Sequence, residues 1–284
     1  MADDTGTVSR IIQLLCCCAE QETWGVTELA QRLELPRSTT HRLLNLCRAQ
    51  GFIDTDGRGQ YGPGMALYRL AGRLSVQMPL RRIALPLLTE FTRQFGEVSL
   101  LTVVDRSALK TFFAAKAEPS APMRYVIETN TLAPLGWGAT GRAILAYMTD
   151  AEIAEVIRRA EPSPGSGQSL DAKELRASLA RIRAEGYAIT QRQRTSEGTG
   201  VAVPFFDAAG QVAGDVGVTV PAFRFRQRSK AIFVRALAGM AAKISEALGS
   251  AHWISIANRP LKAAHRALRL DLDQSAAKSS GHNS

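Results

Sequence analysis

Past Cys47 the chain of 284 residues has no further cysteine, and the only others are Cys16, Cys17 and Cys18. Three neighbours in a row cannot share one tetrahedral zinc site, and no CxxC or His-x-x-x-His spacing accompanies them. A cysteine-ligated zinc site, a disulfide scaffold and thiol chemistry in the larger part of the chain are thereby excluded, and no metal or cofactor is expected. The three cysteines extend an apolar helical stripe over Val8–Cys18, which makes them buried, reduced thiols. No apolar run is long enough to span a bilayer, and Met-Ala-Asp-Asp opens acidic, so neither a membrane partner nor a secretion signal is expected and the cytoplasm is the expected location. Lysine is missing between Arg32 and Arg82, where arginines outnumber acids. A planar guanidinium fork suits phosphate recognition, and a net charge of +9 with pI ≈ 9.8 favours an anionic partner. Hydrophobic content of 45% and mean hydropathy of −0.06 describe a globular chain long enough for two domains.

The most informative stretch is Thr27–Tyr61. Thr27 reads as an N-cap with Leu29, Ala30 and Leu33 at helical spacing behind it. Leu35-Pro36 ends that helix, because the residue before proline is pushed out of the helical region. A second helix starts at Pro36 or Arg37 and stops near Gly51. Phe52-Ile53, a turn over Asp54–Gly59 and a return strand at Gln60-Tyr61 complete the outline of a winged helix-turn-helix. On the second helix Thr39, Leu43, Leu46, Cys47 and Gln50 form one stripe, expected to pack on the first helix. Arg37, Ser38, His41, Asn45 and Arg48 lie opposite. Hydroxyls, amides and guanidinium groups are what contacts to bases and phosphates require. The DNA-binding residues expected are Arg37, Ser38, Thr39, Thr40, His41, Arg42 and Asn45, with Arg58 at the hairpin tip.

Before this stretch Val8, Ile11, Ile12, Leu14 and Leu15 make a supporting helix, and Gln21–Gly25 reads as a loop whose Trp24 closes the small core. After it, Met65, Leu67, Leu70, Ala71, Leu74 and Met78 mark an amphipathic connector that needs a partner surface, either its own domain or, the preferred reading, the same helix of a second copy. Leu80–Phe95 is a further helix. Strands are expected at Glu97–Val104, Thr111–Lys116, Met123–Glu128, Tyr187–Thr190, Gly200–Phe206 and Gln211–Val220. Helices are expected in the second half of Leu132–Tyr147 and over Ala151–Ala160, Asp171–Glu185 and Ile232–Leu248. Residues past Asp271 are polar and small, and read as disordered. This order suggests an α+β fold, one antiparallel sheet with helices against it. Gly138 and Gly141 either let backbone approach a ligand or let helix pack closely on sheet. A helix starting near Thr140 offers free N–H groups to a carboxylate. Trp137 and Tyr125 are candidates for stacking on an aromatic ligand or for core packing. Arg124 and Arg142 are candidates for pairing with a carboxylate or for the solvated surface.

Three blocks in order resemble the IclR family of bacterial transcriptional regulators over nearly the whole chain. They are Leu35-Pro-Arg-Ser-Thr-Thr-His-Arg-Leu-Leu44, Leu135-Gly-Trp-Gly-Ala-Thr-Gly-Arg-Ala-Ile-Leu-Ala146, and Glu185-Gly-Tyr-Ala188 followed by Gly200–Asp207 and Val216–Thr219. The resemblance implies a winged helix-turn-helix (residues 1–63), a linker helix (64–79), a GAF-like effector-binding domain (80–250) and a C-terminal extension (251–284). It implies a dimer or dimer of dimers that binds double-stranded operator DNA and answers to a small organic or aromatic acid from a catabolic route. By position it places effector contacts at Ala139, Thr140, Thr190, Gly200, Gly217 and Thr219, with Tyr125 on the adjoining wall. The chain departs from the family pattern at Arg142, where lysine is common, and at Gln193, where an acid is usual. Gly200 and Gly217 stand where polar side chains or cysteine occur. The competing readings are an enzyme on the same fold, or a protein-interaction module. The enzyme reading lacks a nucleophile, since His252 and His265 have no partner at triad-like spacing.

Overall fold

The computed structural model describes residues 6–120, 127–227 and 230–250. The chain divides between Met78 and Pro79 into two compact units. The first unit contains α1 (Thr7–Glu20), β1 (Trp24–Gly25), α2 (Val26–Arg32), α3 (Arg37–Ala49), β2 (Ile53–Thr55), β3 (Gln60–Pro63) and α4 (Met65–Gln77). Its core gathers Leu14, Cys17, Cys18, Leu29, Leu43, Leu44, Cys47 and Ile53 around Trp24 and Tyr61. Burial pushes the thiols of Cys17, Cys18 and Cys47 up, that of Cys18 to about 11, so they stay protonated; Cys16 is exposed instead.

Two local expectations need correction. Gln21–Gly25 is not all loop: Trp24 and Gly25 pair with Tyr61 and Gln60, giving a three-stranded sheet ordered β1-β3-β2. The indole N–H of Trp24 donates to the Cys17 carbonyl at 2.9 Å, which ties the strand to α1. That pairing holds the backbone extended up to Gly25, so α2 begins at Val26 with Gly25 as N-cap, and Thr27 lies inside the helix. Between α2 and α3 the chain reverses through Glu34 at φ 52. β3 then runs on through Pro63 to Gly64, where the chain passes so close to the Gly51 carbonyl that a side chain there would overlap it.

The second unit contains α5 (Pro79–Phe95), β4 (Val98–Asp105), β5 (Lys110–Ala117), β6 (Ala133–Pro134), α6 (Gly138–Leu145), α7 (Asp150–Arg158), α8 (Ala172–Glu185), β7 (Ala188–Gln191), β8 (Gly198–Phe206), β9 (Val212–Pro221), α9 (Ala222–Gln227) and α10 (Lys230–Ala247). Six antiparallel strands form one sheet in the order β6-β5-β4-β9-β8-β7. Helices α5 and α10 cover one face and α6 packs on the other, with α8 behind it. Burial on both faces explains why β8 and β9 read as near-continuous apolar runs rather than as alternating ones. Two helices of this unit start on side-chain caps: Thr149 and Glu152 make a reciprocal capping box for α7, and Asp171 accepts the Lys173 and Glu174 amides of α8. Residues 123–126 of the strand expected over Met123–Glu128 lie outside the described residues, and 127 and 128 are not in a strand. The sheet edge beside β5 is Ala133–Pro134 instead. No helix among the described residues is long and apolar enough to cross a membrane.

Candidate functional site

Helix α3 separates two chemistries. Thr40, Leu43, Leu44 and Cys47 are buried, and Arg37, Ser38, His41, Arg42, Asn45 and Arg48 are exposed. Its packing stripe is therefore rotated by one residue from the expected one: Leu44 is fully buried, and Leu46 and Gln50 are exposed. Thr40 leaves the set of DNA-facing residues. It is fully buried, and its hydroxyl donates back to the Pro36 carbonyl at 3.2 Å. Thr39 is half-buried. On the open face the Asn45 amide and the His41 ring lie within hydrogen-bonding distance, 3.2 Å, one helical turn apart. The hairpin tip is built by Asp56, whose carboxylate accepts the amides of Arg58 (2.8 Å) and Gln60 (3.1 Å), with Gly57 and Gly59 at positive φ. This turn presents Arg58 to solvent.

In the second unit a cavity of about 310 Å³ lies between α6, the sheet and the loops 127–133 and 193–198. Of the residues named as effector contacts, Ala139, Thr140, Thr190, Gly200 and Thr219 line it, together with Gln193, where the family usually has an acid, and with Leu100, Phe113, Glu128, Arg194 and Val218, which the sequence reading did not name. α6 comes close because residues 200 and 217 have no side chain. A Cβ at Gly200 would stand 3.2 Å from the Ala139 Cβ, and one at Gly217 would stand 3.1 Å from Thr140 Cγ2. Gly217 therefore lies beneath Thr140 and does not line the cavity. Gly141 serves close packing, since a Cβ there would meet the Leu135 carbonyl.

Trp137 is a correction. It occupies the extended N-cap position of α6 and is buried away from the cavity, its N–H donating to the Glu161 carbonyl at 2.8 Å. Its ring faces the Arg142 guanidinium and borders a separate space of about 50 Å³ near the end of α7. Arg142 is committed as well: it makes paired bonds to Glu174 at 2.9 and 3.0 Å and bonds to the Gly136 carbonyl and the Ser178 hydroxyl, bracing α6 against α8. Tyr125 and Arg124 lie outside the described residues.

Among the described residues, the cation that reaches the cavity is Arg194. Gly138, at φ 80, leaves room for its stem, since a Cβ there would sit 2.7 Å from Arg194 Cγ. The guanidinium carbon lies 5.0 Å from the Phe113 ring centre, and Nη1 is buried with no hydrogen-bond partner. Burial holds its pKa below the usual arginine range, with Asp215 acting the other way. Asp215 is fully buried on β9 and accepts the Thr102 hydroxyl at 3.1 Å, leaving Oδ2 unpaired. Its burial pushes the carboxyl well above the aspartate range, with the Thr102 bond and Arg194 opposing. The one trace of Arg194 in the sequence is a cation between two expected strands, a weak signal.

The model of the family described as "Bacterial transcriptional regulator IclR C-terminal" matches residues 73–246, and that of the "IclR helix-turn-helix domain" matches residues 7–57. Among curated relatives, the HTH-type transcriptional regulator BhcR of Paracoccus denitrificans is 28% identical over 78% of this chain and 81% of its own. The HTH-type transcriptional regulator KdgR of Escherichia coli is 24% identical over 87% and 94%. An IclR transcriptional regulator from Alicyclobacillus acidocaldarius superposes with a TM-score of 0.75 at 22% identity, covering 86% of this chain and 98% of that one. An IclR homolog from Microbacterium hydrocarbonoxydans, solved with 4-hydroxybenzoate, superposes with a TM-score of 0.73 at 23% identity, covering 86% and 99%. At these identities the solved structures speak for the fold.

Proposed function

The chain belongs to the IclR family of bacterial transcriptional regulators, and from that premise we propose that it is a homodimer or dimer of dimers controlling a catabolic operon in the cytoplasm in response to a small organic acid. Its relatives are transcriptional regulators, not enzymes. In this reading residues 1–63 bind DNA, 64–79 link, 80–250 hold the effector and 251–284 are an extension. The observation that carries it is the division of α3: one side is committed to the core, and the other holds Arg37, Ser38, His41, Arg42 and Asn45 free for a DNA groove. Arg58 on the hairpin is placed for a backbone phosphate.

The acid follows from the cavity. α6 starts at its wall, where first-turn amides have no partner within the helix. That the Microbacterium homolog was solved with 4-hydroxybenzoate supports an aromatic acid of similar size. Effector binding would bias two arrangements of the linker helices, and a difference of about 1–3 kcal/mol between them is enough for a switch. The test is gel-shift titration of the full chain against DNA from its own upstream region across salt concentrations. Sequence-preferring binding that weakens steeply with salt is expected; equal affinity for all duplexes, or none at low salt, would refute the reading.

A further inference from the structure

Among the described residues, the guanidinium that reaches the cavity makes no direct ion pair. Arg194 is the sole cation among the described residues lining the cavity, its Nη1 is buried and unpaired, and it makes no ion pair with Asp215. Leaving such a group unsatisfied is costly, so a position like this calls for a partner that arrives from outside. The backbone next to Arg194 is anchored before any ligand binds. The Gln193 carbonyl accepts the Ser163 hydroxyl at 2.7 Å and the Gly165 amide at 3.2 Å, and the Gln193 side chain accepts the Gly138 amide at 3.0 Å. Phe113 supports the guanidinium from below. A planar guanidinium fork in a cavity that Leu100, Phe113 and Val218 also line suits a carboxylate joined to an apolar body. A second acidic group has no described cation to meet in the cavity and would face the carboxylate of Glu128, which also lines it.

We propose that Arg194 is the residue that recognises the effector's acid group, and that the effector is a monocarboxylate with an apolar body rather than a dicarboxylate or a neutral amide. This rests on the effector-pocket reading above. It adds a residue that neither the sequence motifs nor the family positions single out.

Thermal-shift and calorimetric titrations of the full chain test it, using benzoate, 4-hydroxybenzoate, phenylacetate and butyrate, each beside its amide, with isophthalate and succinate as diacids. At least one monoacid is expected to bind, with its amide and the diacids weaker by about 10- to 100-fold, the range of a charge-assisted hydrogen bond. Arg194→Met is expected to lose the same factor while melting no lower than the parent without ligand, because an unpaired charge has been removed. Arg194→Lys is expected to keep part of the affinity. A merely structural arginine would instead lower the ligand-free melting temperature when replaced. Amides or diacids binding as well as monoacids, or full monoacid affinity in Arg194→Met, would overturn the assignment and leave the pocket reading intact. No response to any compound in the series would overturn the pocket reading and the assignment with it.

Discussion

Asp215 is a carboxyl group whose burial costs more than its one hydrogen bond returns. Its folded-state pKa lies above that of an unfolded aspartate. The folded state therefore holds the proton as the unfolded chain loses it, and stability falls as pH rises from the unfolded value through the folded one. Asp215→Asn keeps an acceptor for the Thr102 hydroxyl and removes the titration. Its melting temperature should exceed the parent's at pH 8, with the gap closing toward pH 4, as followed by circular dichroism. A constant gap at every pH would refute this account. Trp137 offers a second test at this scale. Since it bonds to the Glu161 carbonyl away from the cavity, Trp137→Phe should cost about 1 kcal/mol of stability in chemical denaturation and leave effector affinity unchanged. A loss of effector binding at unchanged stability would return the indole to the pocket.

At the scale of the element, α3 is a helix with two separable sides. Asn45→Ala on the open side should weaken specific DNA binding by about 1–3 kcal/mol, with sequence preference relaxed at one position and the melting temperature unchanged. Arg58→Ala should weaken binding to all sequences alike and lower the salt slope by about 1, the mark of a lost phosphate contact. Thr40→Ala, on the buried side, should lower the melting temperature without changing which sequence is preferred. Gel-shift titrations at several salt concentrations separate these outcomes. An Asn45→Ala protein with parental preference would remove the base-reading role from this face.

At the scale of the whole molecule the open question is assembly. α4 buries none of its residues within the chain and exposes Met65, Tyr68, Leu70, Leu74 and Val76. Leu70 and Leu74, one helical turn apart on one side of it, are large apolar groups that a partner surface would cover. A two-fold copy would cover them and set two recognition helices at a fixed spacing. Sedimentation velocity of Leu70→Glu/Leu74→Glu should show a shift to a smaller species and a loss of tight operator binding, with the circular dichroism spectrum retained. An unchanged sedimentation coefficient would place the interface elsewhere.

Patterns that act over a few residues were enough to read the winged helix-turn-helix and the antiparallel sheet with its helices, and three blocks in order carried the resemblance to a regulator family. Helical spacing and the effect of proline on the residue before it are local constraints that hold whatever packs around them. The resemblance to the regulator family, carried over position by position, also pointed to five of the cavity's lining residues, Ala139, Thr140, Thr190, Gly200 and Thr219. Tertiary structure alone decided the rest, since it depends on partners distant along the chain. Pairing with Tyr61 turned Trp24–Gly25 into a strand and moved the start of α2. The rotation of α3 against its neighbours buried Thr40 and Leu44 and exposed Leu46. The direction a side chain leaves the N-cap of α6 took Trp137 out of the cavity, and a loop 55 residues from Gly138 in sequence brought Arg194 into it. Periodicity describes which side of an element is apolar; what stands opposite that side is set only when the chain closes on itself.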